Sequence, residues 1–138
     1  MNIENINVAL AIMTRHMEAQ LPLDMTTWQH YNRHSATALK EEHLCGTPCC
    51  MAGYIAVSPE FQADGGGLTD LGAPEFNGRC ADAAIREWLG CTHPQAKAIT
   101  ATANEVVAYP DVINREIEFS DVIAALVSLR DTGLLPGE

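Results

Sequence analysis

Apolar residues repeat at helical spacing through the first twenty positions of the chain. They recur at intervals of three and four, at Ile3, Ile6, Leu10, Met13 and Met17. This spacing predicts an amphipathic helix whose N-cap is Asn2 or Asn5 and which ends near Gln20, before Pro22.

Two later segments show the same period. Residues 48–57 predict a second helix, with Thr47 as its cap, Pro48 in its first turn and small residues that let another element approach. Residues 81–89 predict a third helix, ended by Gly90 in the position of a C-terminal cap. One side of this helix is apolar, with Ala84, Ile85, Trp88 and Leu89.

Helix-start signals mark the last two predicted helices. The run from Thr92 to Gln95 reads as a capping box, in which each side chain bonds the backbone of the other residue. The helix that follows turns small and apolar residues inward, at Ala96, Ile99 and Ala103. Ser120 is the expected cap of the final helix, with Asp121 at its positive end and Gly133 as its stop. Its apolar stripe consists of Val122, Leu126 and Leu129.

The remaining segments carry weaker patterns. Residues 21–46 are expected to be mostly irregular, with a short helical turn at 25–31. Residues 58–78 are expected to form a long loop around three consecutive glycines, and residues 106–109 fit either a short strand or a short helix. No strand pattern recurs at even spacing, so the predicted fold is mainly α. We expect a small orthogonal bundle of about five helices with long loops, forming one domain over residues 1–138.

Charge narrows the range of partners. The net charge is −10, which argues against binding to nucleic acid or to an anionic membrane surface. It is compatible with a basic protein partner or simply with solubility. The start of the chain lacks the pattern of a secretory signal, and no segment has 18 consecutive apolar residues. We therefore expect a cytoplasmic protein with reduced thiols, and a homodimer is compatible with the sequence.

A candidate anion site precedes the second helix. Aromatic, basic and histidine side chains crowd into one short segment, at Trp28, His30, Tyr31, Arg33, His34, Lys40 and His43. Aromatic faces stack on bases, while the basic groups pair with phosphate. The amides of Gly46 and Thr47, at the expected helix start, would complete the site. The alternative is that Trp28 packs in the core and the charged residues form a solvated loop.

Four short motifs, two of them in this region, carry a resemblance to a known group of proteins. The elements are Asp24-Met-Thr-Thr-Trp28, Cys45-Gly-Thr-Pro-Cys-Cys-Met-Ala-Gly53, Leu89-Gly90 and Thr132-Gly133. In these elements the chain resembles a group of small uncharacterised proteins of bacteria and their phages, from which Cys50 departs by replacing a small residue. The resemblance implies a compact phage-type protein in the host cytoplasm, where such proteins blunt host defence by occupying a protein or sequestering a nucleotide.

Cysteine chemistry offers three alternatives. Cys49 or Cys50, at a helix N-terminus, could be a nucleophile, with a histidine such as His43 as its base. A zinc site could draw on His43, Cys45, Cys49, Cys91 and His93, although the paired spacing of a strong zinc motif is missing. Disulfides could join Cys45 to Cys49 or Cys80 to Cys91.

The function expected from these observations is non-enzymatic and requires no cofactor. We expect an accessory protein, plausibly active in counter-defence, that binds an anionic, nucleotide-like small molecule or a host protein. The alternatives are a cysteine-dependent enzyme and an acidic decoy that docks on a basic host protein.

Overall fold

The computed structural model describes residues 1–23, 25, 50–70, 72–100, 107–113 and 115–138. These residues form six helices and three strands. The helices are α1 (Ile3–Glu18), α2 (Met51–Val57), α3 (Pro59–Ala63), α4 (Asp82–Leu89), α5 (His93–Ile99) and α6 (Phe119–Thr132). The strands β1 (Gly67–Leu68), β2 (Pro74–Phe76) and β3 (Arg79–Cys80) lie between α3 and α4.

The prediction of a mainly α fold is wrong, because an antiparallel sheet begins within the predicted loop at 58–78 and ends just after it, with β3. Its strand order is β1-β2-β3. Phe76 pairs with Arg79 across the two-residue turn Asn77-Gly78. Both turn residues have positive φ, at 56° and 77°, as the tight turn of a twisted hairpin requires. The fold therefore combines helices with a small sheet, and β2 packs against α2 and α4.

The helix α3 is a second correction to the same predicted loop. Ser58 ends α2 and caps α3, since its hydroxyl accepts the amide of Phe61 at 3.2 Å. The helix closes with two backbone bonds, from Gly66 to the carbonyl of Phe61 at 2.9 Å and from Gly65 to the carbonyl of Gln62 at 3.2 Å. These are the two bonds of a Schellman motif, with Gly65 at φ 97° in the left-handed position.

The prediction for α1 is confirmed, with Asn2 as its cap. The start of α1 also closes the end of α4. Asn5 donates its side-chain amide to the carbonyl of Trp88 at 2.8 Å, and the backbone amide of Asn2 donates to the carbonyl of Leu89 at 2.8 Å. Carbonyls at the end of α4 that have no partner within the helix are thereby satisfied. As predicted, α4 ends at Gly90, which adopts φ 69°.

The capping box of α5 is confirmed, with Thr92 and Gln95 bonded reciprocally. The predicted cap of α6 is wrong. The cap is Glu118, and Ser120 is the second helical residue. Gly133 ends α6 as predicted. Residues 107 and 108 are in a turn and residue 109 is irregular, so these three are neither strand nor helix, while residues 103 and 106 lie outside the described part of the chain.

The buried apolar residues form one hydrophobic cluster. It contains the inner faces of α1 and α6, which pack on each other, together with α2 and α4. The predicted stripe of α6 is buried, with Val122, Leu126 and Leu129 at 0% exposure. Among the described helices, none has both the length and the apolar composition needed to cross a membrane.

Candidate functional site

The predicted anion site lies outside the described residues. All nine of its positions fall within residues 26–49, and so do Cys45 and Cys49 of the alternative sites. The structure does describe the residues on both sides of this segment. These flanking residues are packed against the core at both ends of the segment.

The described residues before the segment follow directly on α1. The amide of Leu21 donates to the carbonyl of His16 at 3.1 Å, which turns the chain at the end of the helix. The next carbonyl, that of Pro22, accepts the hydroxyl of Tyr54 on α2. Met25 is buried, at 6% exposure. The chain is thus held against the core up to the start of the segment.

The first described residue after the segment is Cys50. This residue is 2% exposed and is the N-cap of α2, since its thiol accepts the amide of Gly53 at 3.3 Å. The helix α2 therefore begins at Met51 and not at residue 48, while Thr47 and Pro48 themselves lie outside the described residues. The alternative of Cys50 as an accessible nucleophile is not supported, because its thiol is inside the protein and bonded to the helix start.

Aromatic contacts connect these two ends with α6. The ring of Tyr54 lies with its centroid 4.4 Å from that of His16 and 5.6 Å from that of Phe119. Burial, together with the nearby Cys50 and Asp121, raises the pKa of Tyr109, whose hydroxyl donates to the carbonyl of Ile99 at 2.5 Å. The starts of α2 and α6 therefore lie close together, beside the residues that precede the segment.

An open groove lies on this side of the molecule. Its volume is about 380 Å³, within the range of small-molecule sites. One wall is Leu23 and the other is the chain that enters α6. The residues of that second wall are Arg115, Glu116, Ile117, Glu118 and Phe119.

An ion pair fixes the end of the groove wall. Arg115 donates two bonds to Asp121, at 2.7 Å and 2.9 Å. Asp121 also accepts the amide of Glu118 at 2.8 Å, so it orients both the guanidinium and the start of α6. Bonding to Arg115 lowers the pKa of Asp121, and the same bond raises the pKa of Arg115. The positive charge of Arg115 is therefore largely compensated.

The described thiols do not support the cysteine alternatives. Cys91 is buried, and this burial raises the pKa of its thiol to about 11, which makes it a poor nucleophile near neutral pH. Cys80 is exposed, and both residues are free thiols, so the alternative of a Cys80–Cys91 disulfide is contradicted. His93 is exposed at the start of α5. Within the described ranges, no three or more His, Cys, Asp or Glu residues are arranged to hold a metal ion.

The sequence analysis did not identify the residues that anchor the segment or those that form the groove. Tyr54 was not singled out, and the groove wall at 115–119 fell in a stretch with no clear pattern. One signal was readable: Glu116, Ile117, Glu118 and Phe119 alternate polar and apolar, as in an extended chain with one buried face. The structure buries Ile117 and Phe119 and exposes the two glutamates.

Comparison with protein-family models, with curated proteins and with solved structures finds no match. The resemblance to small bacterial and phage proteins therefore stays a prediction from the motifs alone.

Proposed function

We propose that the protein is a non-catalytic, phage-type accessory protein that binds an anionic, nucleotide-like small molecule through the segment between Met25 and Cys50. Stacking is assigned to Trp28 and Tyr31, and charge pairing to Arg33, His34 and Lys40. His30 and His43, with the amides of Gly46 and Thr47, complete the proposed set.

The observation that carries this proposal is the way in which the segment is anchored. The bond from Tyr54 to the carbonyl of Pro22 holds the residues before the segment against the helix that follows it. Met25 and Cys50 are buried at its two ends. A segment with both ends fixed on a packed scaffold is a common carrier of binding residues.

The distribution of charge supports an anionic ligand at this segment rather than elsewhere. Four of the five histidines and three of the eight lysines and arginines precede residue 55, against five acids. The rest of the chain has thirteen acids and five bases. An anion is therefore repelled least by the front of the chain.

The test is a calorimetric titration of the full chain with ATP, GTP and inorganic pyrophosphate, together with native mass spectrometry of the protein as purified from cells. The double variant Arg33→Ala/Lys40→Ala is expected to weaken binding at least about tenfold, because a hydrogen bond to a charged group contributes roughly 1.5–3 kcal/mol.

A matched control removes the same two residue types elsewhere. The variant Arg79→Ala/Lys97→Ala takes away one exposed arginine on β3 and one exposed lysine on α5. Its affinity is expected to stay within about twofold of the wild type, since distant surface charges are screened by salt. Equal losses in both double variants, or no binding of any probe by the wild type, would refute the proposal.

A further inference from the structure

The turn between β2 and β3 places a side-chain amide next to an unhindered backbone amide. Asn77 is the only asparagine in the sequence that glycine follows. Both turn residues are exposed, and a Cβ atom built at Gly78 would meet no described atom within 4 Å. A bond between the amide nitrogen of Gly78 and Cγ of Asn77 would close a succinimide ring. No side chain at Gly78 opposes that closure.

The folded turn holds these two reacting groups apart. Asn77 and Gly78 have φ of 56° and 77°, and positive φ at both central residues defines a type I′ turn. In such a turn the ψ angle of the first central residue is also positive, since the turn is the mirror image of type I. A positive ψ at Asn77 directs the amide nitrogen of Gly78 away from the asparagine side chain. The ring can therefore close only after the turn opens.

The turn can open without unfolding the whole protein. The strand β3 has two residues, Arg79 and Cys80, and both are exposed. They pair with Phe76 and Glu75 of β2. Short elements with few buried contacts open locally at a smaller free energy than global unfolding. The reactive geometry is therefore accessible from the folded state.

We propose that Asn77 is a site of spontaneous deamidation, controlled by opening of the β2–β3 turn. In the open turn, the amide nitrogen of Gly78 attacks Cγ of Asn77 and forms the succinimide C–N bond. The side-chain nitrogen leaves as ammonia and carries away the proton lost by the Gly78 amide. Water then opens the ring at either of its carbonyls and produces aspartate or isoaspartate. This proposal does not rest on the anion site, because it uses different residues and only water as a co-reactant.

The two products have different effects on the hairpin. Aspartate keeps the length of the main chain, and Asp-Gly suits a type I′ turn, so its effect is one added negative charge. Isoaspartate adds a methylene group to the main chain, so Phe76 and Arg79 no longer face each other across a two-residue turn. The ring centroid of Phe76 lies 5.8 Å from that of Phe61, so a shift of β2 also disturbs this aromatic contact. Isoaspartate therefore loosens the hairpin for as long as it persists.

The first test is prolonged incubation of the full chain at mildly alkaline pH, where more of the backbone amide is deprotonated. Ion-exchange chromatography separates the acidic product, and peptide mapping distinguishes aspartate from isoaspartate. The variant Asn77→Gly keeps a sequence suited to the same turn and should form no product at this site. The control Asn7→Gln removes an asparagine of α1 that precedes valine and should react as the wild type does. Equal accumulation of acidic product in Asn77→Gly and wild type, or no reaction at Asn77 in the native wild type, would overturn the proposal.

The second test measures the control by turn opening. The native chain is expected to react at least about tenfold more slowly than the chain unfolded in urea, as an opening free energy of about 1.4 kcal/mol or more requires. Phe76→Ala removes the contact of β2 with Phe61 and should give a rate between these two. Equal rates in the native and unfolded chains would overturn the control by opening. Thermal unfolding should give a lower Tm for the isolated isoaspartate form and an unchanged Tm for Asn77→Asp, and equal Tm values for both would contradict the effect on the hairpin.

Discussion

The three consecutive glycines after α3 allow one substitution to be compared at three adjacent positions. The informative one is Gly66→Ala. A Cβ atom at residue 66 would lie 2.7 Å from Cγ of Phe61, and closer still to its Cδ2 and Cε2. Real Cβ atoms essentially never approach other atoms so closely, so either the ring or the backbone must move.

The surroundings of Phe61 determine the cost. Its side chain is fully buried, with its ring centroid 5.1 Å from Trp88 in an edge-on contact and 5.8 Å from Phe76. The indole of Trp88 is itself held by Asp64 through a 2.9 Å hydrogen bond. Because the ring cannot move into solvent, the added methyl overpacks the core, which costs about 1–3 kcal/mol.

Two further effects partly offset each other. Moving residue 66 would weaken its bond to the carbonyl of Phe61, a loss of about 1 kcal/mol. Alanine also reduces the conformational entropy of the unfolded chain, which stabilises the folded protein by about 0.4–1 kcal/mol. We therefore expect Gly66→Ala to lower the free energy of unfolding by about 2 kcal/mol. At roughly 3–5 °C per kcal/mol for a chain of this size, the Tm should fall by about 6–10 °C.

The neighbouring glycines are the matched controls. A Cβ at Gly67 meets nothing within 4 Å, and its φ is not in the left-handed region, so Gly67→Ala should leave stability unchanged or raise it by up to about 1 kcal/mol. A Cβ at Gly65 also meets nothing, but its φ of 97° is unfavourable for alanine, so Gly65→Ala should cost about 1–2 kcal/mol.

Urea and thermal unfolding, followed by circular dichroism, measure all three variants. The expected order of stability is Gly67→Ala, then Gly65→Ala, then Gly66→Ala. If Gly66→Ala were as stable as Gly67→Ala, the contact of residue 66 with the Phe61 ring would be wrong. The same result would contradict the packing assigned to this aromatic cluster.

Three other predictions test particular contacts. Thr92→Ala should lower the free energy of unfolding by about 1 kcal/mol because it removes the cap of α5, whereas Ser120→Ala should change it by less than about 0.5 kcal/mol. A larger loss for Ser120→Ala in urea unfolding would contradict the assigned start of α6. Iodoacetamide at neutral pH should modify exposed Cys80 in the native protein and not buried Cys91, and mass mapping that found Cys91 modified first would contradict its burial and raised pKa. Asp121→Asn should destabilise the protein by roughly 0.5–1 kcal/mol at neutral pH. Since the pKa of Asp121 is lowered in the folded state, this difference should begin to shrink as the pH falls below about 4 and should vanish once the pH is below the lowered pKa. A gap that stayed constant into that acid range in unfolding curves would argue against the ion pair.

The helices could be predicted where local signals were complete. In α4, the buried side carries Ala84, Ile85, Trp88 and Leu89, and Gly90 has the left-handed conformation that ends a helix. In α5, the capping box defines the start within a single turn of chain. These signals need no tertiary information, because both the period and the cap are contained in a few consecutive residues.

The sheet was missed because its strands are too short to show alternation. The strands β1 and β3 have two residues each, and β2 has three. The turn Asn77-Gly78 is nevertheless a strong hairpin signal. It was outweighed by the glycine-rich composition around it. Likewise, Ser58-Pro59 is a strong signal for a helix start, but it was not recognised because the surrounding segment looked irregular.

The contacts around the candidate site could not be predicted from local patterns. The bond between Tyr54 and Pro22 joins residues 32 positions apart, and the ion pair at the groove depends on how α6 begins. Both follow from the packing of α2 against α1 and α6, which periodicity does not specify. The residue types of the predicted anion site were readable, but their arrangement in space was not.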